Sequence, residues 1–115
     1  MKTKVIENRW LPVRGFTAIT LFGFIFTRNR KSVTPDILNH ELIHCRQQLE
    51  LLYIPFFILY FLEWLLRLIQ YRDTYLAYRN ISFEREAYAH ESDPSYPRTR
   101  RPFSWLPHLH SNFKK

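Results

Sequence analysis

The sequence predicts an α+β fold: a short antiparallel sheet or hairpin packed on about three helices, followed by an extended C-terminal tail. Three observations carry this. Residues 16–27 are rich in Phe, Ile and Thr with Gly23 inside, the composition of a strand or tight hairpin buried on both faces. Thr34-Pro35-Asp36 offers a capping hydroxyl, a proline for the first helical position and an acid for the first turn. From Pro55 to Tyr71 the chain is apolar nearly all round, as in a helix that is buried or in lipid.

The elements follow in order. Residues 2–14 carry four basic side chains ahead of the apolar run, which mimics a signal peptide. Thr27-Arg28-Asn29-Arg30 offers no small-x-small cleavage pattern, so no signal is expected. Residues 28–32 form a basic turn. The first helix runs from Pro35 to about Leu51, where Pro55 restarts the chain as the second helix. Arg72-Asp73-Thr74 is a connection, and a third helix starts near Asn80 or Ser82 and ends before Pro94. Beyond it lie Pro94, Pro97, Pro102 and Pro107 with five Lys or Arg. Residues 1–93 therefore read as one domain and residues 94–115 as a basic, proline-rich tail.

Composition narrows the function classes. The 115 residues are 46% hydrophobic and 23% charged, enough for one core and no more than one domain. A single cysteine excludes an internal disulfide framework, and Cys45 itself reads as a core thiol. The net charge of +7 favours acidic partners such as lipid headgroups. Nucleic acid is not expected, because basic and aromatic residues interleave only over the short stretch 98–105. Residues 51–62 hold no charge, but a spanning helix needs about 20 apolar residues. Residues 49–69 reach that length only with Glu63 inside. A core helix is the first reading and attachment to a membrane surface the second, giving a cytoplasmic or membrane-associated protein.

The first helix contains His40-Glu41-Leu42-Ile43-His44. At about 100° per residue, His44 lies only about 40° round from His40, so both imidazoles leave one face one turn apart. That spacing suits two neighbouring ligands of a tetrahedral Zn²⁺. Glu41 lies about 100° from His40, beside the metal, where it can take a proton from water and pass it to a leaving group. Leu38, Leu42, Cys45, Leu49 and Leu52 form an apolar stripe roughly opposite, so one face goes to the core and the other to a cleft. Five His and seven Glu placed at random give roughly 0.01 such matches in a chain of this length.

Zinc needs a third protein ligand and an open position for water. Candidates are Glu84, Glu86, His90 and the pair His108 and His110. Glu84 is preferred. Ala87, one turn on, leaves room for close helix approach, and Tyr88 shares Glu84's face and could support the site by a hydrogen bond. Glu86 points about 200° away, so the two acids cannot bind one ion. Taken alone, either acid reads as a surface charge. Glu50 and Glu63 read as partners of Arg46 or Arg67, or as solvated.

His40-Glu41-x-x-His44 with a downstream Glu84-x-x-Ala87 resembles the gluzincin metallopeptidases, in minimal single-domain form. The stretches 40–48 and 81–88 also resemble a group of small uncharacterised bacterial proteins, over residues 10 to about 96. The resemblance implies a zincin-like fold, one Zn²⁺ per chain on His40, His44 and Glu84, and Glu41 as catalytic base. It implies a peptide or protein substrate, taken as an added strand on the sheet edge formed by residues 16–27. Tyr88 stands where the gluzincin pattern usually has an Asp that orients a metal-binding histidine, so that support is altered here. The second catalytic residue, an oxyanion donor, is expected to be Tyr88 or another tyrosine. Two rivals remain: a peptidase-like metal or membrane module without turnover, and a di-iron carboxylate bundle built on Glu41-x-x-His44. The second lacks the further E-x-x-H that such bundles use. The tail, aromatic and basic, could lie in the cleft and hold it shut, in which case deleting it should raise activity.

Overall fold

The structure, a computed structural model, describes residues 4–11 and 16–109. The expected hairpin is present. Strand β2 (Ala18–Leu21) runs antiparallel to β3 (Phe24–Thr27), with Ala18 opposite Thr27 and Leu21 opposite Phe24. Phe22 and Gly23 between them have φ of +53° and +85°, the two-residue turn whose twist matches that of the strands. Gly23 adopts this conformation freely. Phe22 does so at a cost of about 1–3 kcal/mol, and its ring rests against Tyr53 and Phe57.

The sheet departs from expectation in two ways. A third strand, β1 (Lys4–Glu7), pairs parallel with β3, so the sheet is mixed, in the order β1-β3-β2. The charged leader-like segment thus supplies a strand, through a non-local pairing that no local pattern announces. The hairpin is also buried on one face only. Ala18, Thr20, Ile25 and Thr27 point inward, while Phe22 and Phe24 are exposed.

Helix α1 (Pro35–Glu50) begins as predicted, the Thr34 hydroxyl accepting the Ile37 N–H at 3.2 Å. Leu38, Leu42 and Cys45 pack on Ala18 and Ile25 of the sheet. The apolar stripe stops there, since Leu49 and Leu52 are exposed. The opposite, polar face is as buried as the apolar one: His40, Glu41, His44, Gln47 and Gln48 are all inside.

Helix α2 (Ile54–Tyr71) overturns the core-helix reading. Its buried residues are Phe56, Glu63 and Arg67, and most of its aliphatic side chains face outward. Glu63 shows why its charges point in. Its carboxylate accepts the Ser82 backbone N–H at 2.7 Å and the Ser82 hydroxyl at 2.6 Å. That satisfies the first turn of α4 (Ser82–His90), which gets no side-chain cap from Ile81, and places a negative charge at the helix's positive end. Arg67 pairs with Glu63 at 3.1 Å, as expected. A short helix, α3 (Thr74–Arg79), falls where no helix is expected. Asp73 caps it by accepting the Leu76 N–H.

The extended, solvated tail is not what the structure shows over residues 94–109. Helix α5 (Tyr96–Thr99) carries Pro97 in its first turn, where a missing N–H does no harm. Trp105 packs on Phe83 in a core cluster with Phe56 and Ile81. Arg100 is buried between two carboxylates, Glu86 at 2.6 Å and Glu50 at 3.0 Å. Both anions would be costly inside the fold without that guanidinium. Burial of Glu86 and Trp105 is what folds the tail back.

Candidate metal centre

Three side chains from two helices converge. His40 and His44, one turn apart on α1, have ring centroids 4.8 Å apart. Glu84 sits in the first turn of α4. Its Oε1 lies 2.9 Å from His40 Nε2 and 3.1 Å from His44 Nε2. All three residues are buried, and their ligand atoms lie within 4.8 Å of one another, a group that could hold a metal ion. Tetrahedral ligands about 2.1 Å from an ion sit roughly 3.4 Å apart, so the group needs little adjustment to accept one.

The surrounding hydrogen bonds decide what the centre lacks. Gln47 Nε2 donates to the Phe83 carbonyl and to Glu86, which leaves Gln47 Oε1 as the acceptor for His44 Nδ1–H at 2.8 Å. His40 Nδ1 donates to the Glu91 carboxylate at 2.9 Å. With both Nδ1 atoms protonated, each neutral ring turns a lone pair on Nε2 towards the same carboxylate oxygen. Three lone pairs cannot share one buried spot without a positive charge among them.

A proton or a metal ion can supply that charge. Burial works against a charged His44, but the Glu84 carboxylate and its hydrogen bond outweigh it and raise the imidazole to about 9. Glu84 is held well below the ordinary carboxylate range: burial opposes this, and the His44 charge with the two imidazole hydrogen bonds prevails. The cluster is thus built to hold cationic charge. Two imidazoles and a carboxylate are a donor set that open zinc sites and non-haem iron sites share.

Glu41 comes from the same helix, turned towards the sheet. The Thr20 hydroxyl of β2 donates to its Oε1 at 2.6 Å. Burial raises Glu41 above the usual carboxylate range, with the charges of His44 and His40 and the Thr20 hydrogen bond acting the other way. A carboxylate destabilised by burial accepts a proton more readily than a solvated one. His40 and Glu41 line a cleft of about 250 Å³, together with Thr17 and Ala18 at the start of β2 and with Tyr75 and Tyr88. No residue of 94–109 lines it, so the described part of the tail does not plug the cleft.

The remaining candidates are dispersed. Tyr88 stands edge-on to the His40 ring at 4.5 Å, with the Arg79 guanidinium over its face, and its hydroxyl pairs with Tyr78 at 2.9 Å. The hydrogen bond expected from it to the site comes instead from Tyr60 of α2, which donates to Glu84 Oε2 at 2.6 Å. Glu86 faces away from Glu84, as its spacing requires, and is buried on Arg100, Gln47 and Tyr96, so neither acid is a surface charge. His90 stacks on Tyr96, with ring centroids 3.8 Å apart, and His108 stands edge-on to His90. His110 lies outside the described residues. Glu50 and Glu63 are engaged by Arg100 and by Arg67 with Ser82, so they supply no second ion here.

Three supporting residues have no signal in the motif: Gln47, Tyr60 and Glu91. Gln47 lies at i+3 from His44 on the same helix, a spacing that could have revealed it. Glu91 lies seven residues beyond Glu84, two turns along the same side. It bonds His40 Nδ1 from one turn beyond Tyr88. Comparison with protein-family models, curated proteins and solved structures returned no match.

Proposed function

We propose that the chain is a zinc-dependent peptidase of the gluzincin kind. The observation that supports it most is the convergence of the His40 and His44 Nε2 lone pairs and Glu84 Oε1 beside a buried acid in an open cleft. Held by those three residues, zinc would supply a Lewis acid that acidifies water and polarises a carbonyl. Glu41, buried and of raised proton affinity, takes a proton from the attacking water and returns it to the departing amine. Thr20 holds one oxygen of that carboxylate, so the other is left for proton transfer. Glu91 and Gln47 fix both imidazoles with Nε2 directed at the site. Tyr60 holds the second oxygen of Glu84, which favours binding through the first.

The substrate follows from the walls of the cleft. Strand β2 is one edge of the sheet, and Ala18 at its start and Thr17 just before it border the cleft. An extended peptide adding to that edge would lie across Glu41. Tyr88, in the wall beside His40 and bonded through its hydroxyl to Tyr78, would be the donor to a developing oxyanion.

The test is elemental analysis of purified protein and its variants, followed by a peptide-library assay. Wild type should carry one zinc per chain, and His44→Ala or Glu84→Ala should carry little. Glu41→Gln should keep its zinc and lose hydrolysis. Zinc without turnover on any peptide would favour a peptidase-like scaffold, and two irons per chain the carboxylate bundle.

A further inference from the structure

Helix α2 is inverted relative to a helix at a water surface. Phe56, Tyr60, Glu63 and Arg67, at i, i+4, i+7 and i+11, face the protein. Ile54, Ile58, Phe61, Leu62, Leu65 and Ile69 face away from it and are 38–75% exposed. The only charged residues in α2 are Glu63 and Arg67, both buried, so its outward arc carries no charge. Over 18 residues that arc is about 27 Å long. Leu52 extends it at one end, and Phe22, at the tip of the β-hairpin, packs on Tyr53 and Phe57 beside it.

Such a surface demands a cover. The largest apolar patch on an ordinary monomer is about 300–600 Å² and is usually a contact site. The same helix is long and apolar enough to cross a membrane, yet only three of its 18 residues are buried, so it is no core helix. Protein interfaces carry polar rims and hydrogen-bonding groups that fix a register. This face is smooth and mainly aliphatic from end to end, which suits a fluid partner. The chain's charge of +7 complements an anionic surface, and the exposed Arg72 closes the helix.

We propose that α2 seats this protein on a bilayer containing anionic lipid, lying in the plane of the interface with its outward face among the acyl chains. The helix does not cross. Its inward stripe is fastened to the fold through Tyr60 to Glu84, Glu63 to Ser82 and Arg67 to the Leu109 carbonyl. Lipid can therefore cover one side only, to a depth of about 5–10 Å. The metal cluster sits on the other side of the same helix, linked to it by Tyr60. The proposal does not depend on whether that cluster is catalytic.

Flotation of the full chain with vesicles of 70% phosphatidylcholine and 30% phosphatidylglycerol tests it. Wild type should float with these vesicles, and less with phosphatidylcholine alone. The variant Ile58→Glu/Leu62→Glu/Leu65→Glu should float at least tenfold less, with circular dichroism and metal content unchanged. If the triple variant unfolds, Leu62→Glu alone carries the same comparison. Wild type remaining in the dense fraction, or variants floating equally well, would overturn the proposal. So would a lipid-free dimer that the variant splits, because the face would then be a protein contact.

Discussion

Helices α1 and α2 break the same rule in opposite ways. Each should put its polar side in water and its apolar side inward. Helix α1 buries both, and α2 turns its charges in and its aliphatic residues out. The difference lies in what satisfies each inversion. On α1 most buried polar groups find a protein partner: His40 Nδ1 has Glu91, His44 Nδ1 has Gln47, and Glu41 has Thr20. On α2 the inward charges are equally well matched, through Ser82 and Leu109, but the outward face is left largely uncovered by the described residues. Apart from the three converging ligand atoms, which call for a cation, the buried polar stripe is thus a closed system of hydrogen bonds, whereas an exposed apolar face points to a partner outside the chain.

The closed system is most vulnerable at its last link. Arg100 is the guanidinium that holds Glu86, and Glu86 in turn fixes the Gln47 amide against His44. Replacing Arg100 with Ala leaves the buried Glu86 and the half-buried Glu50 without their cation, so we expect a loss of about 3–5 kcal/mol in urea unfolding. Deleting the chain after Pro94 should do at least as much harm, and should lower activity. A rise on deletion would restore the plug reading of the tail and break the link between tail and metal centre.

Within the site, Glu91 separates holding a metal from shaping the ring that holds it. Glu91→Gln keeps a side chain of similar size but loses the charge that strengthens the His40 Nδ1–H bond. Zinc affinity should fall about 10–100-fold, measured by competition with a chromophoric chelator, while thermal unfolding of the metal-free protein barely moves. An unchanged affinity would show that Tyr88, edge-on to the same ring, is enough to orient it.

How much of this was legible in the sequence follows the same division. The cap at Thr34, the two histidines on one face and the choice of Glu84 over Glu86 all rest on spacings within a single helix, and the structure brings those three ligands together. Replacing Thr34 with Ala should cost about 1 kcal/mol, the ordinary value of such a cap. Periodicity tells faces apart but not which face is inside, so α2 read as a core helix and Glu86 as a surface charge. Tyr60, Glu91 and Arg100 escaped because their partners lie 24, 51 and 14 residues away across the fold. Strand β1 escaped for the same reason, its partner β3 lying 20 residues on.

The smallest expected effect probes the open half of the comparison. Leu65 faces outward on α2, a little over one turn from inward-facing Tyr60. In dilute buffer without lipid, Leu65→Ser removes an aliphatic side chain that packs on little, so stability should change by no more than about 0.5 kcal/mol. Tyr60→Phe is the matched inward change. It deletes the donor to Glu84 and leaves a buried carboxylate oxygen unpartnered, so about 1–3 kcal/mol should be lost. The contrast should not depend on protein concentration. If Leu65→Ser instead destabilises as much as Tyr60→Phe, and more so as the protein is concentrated, then a second copy covers this face and stabilises the fold in doing so. The asymmetry between the two helices would then lie between two chains, not between a protein and its membrane.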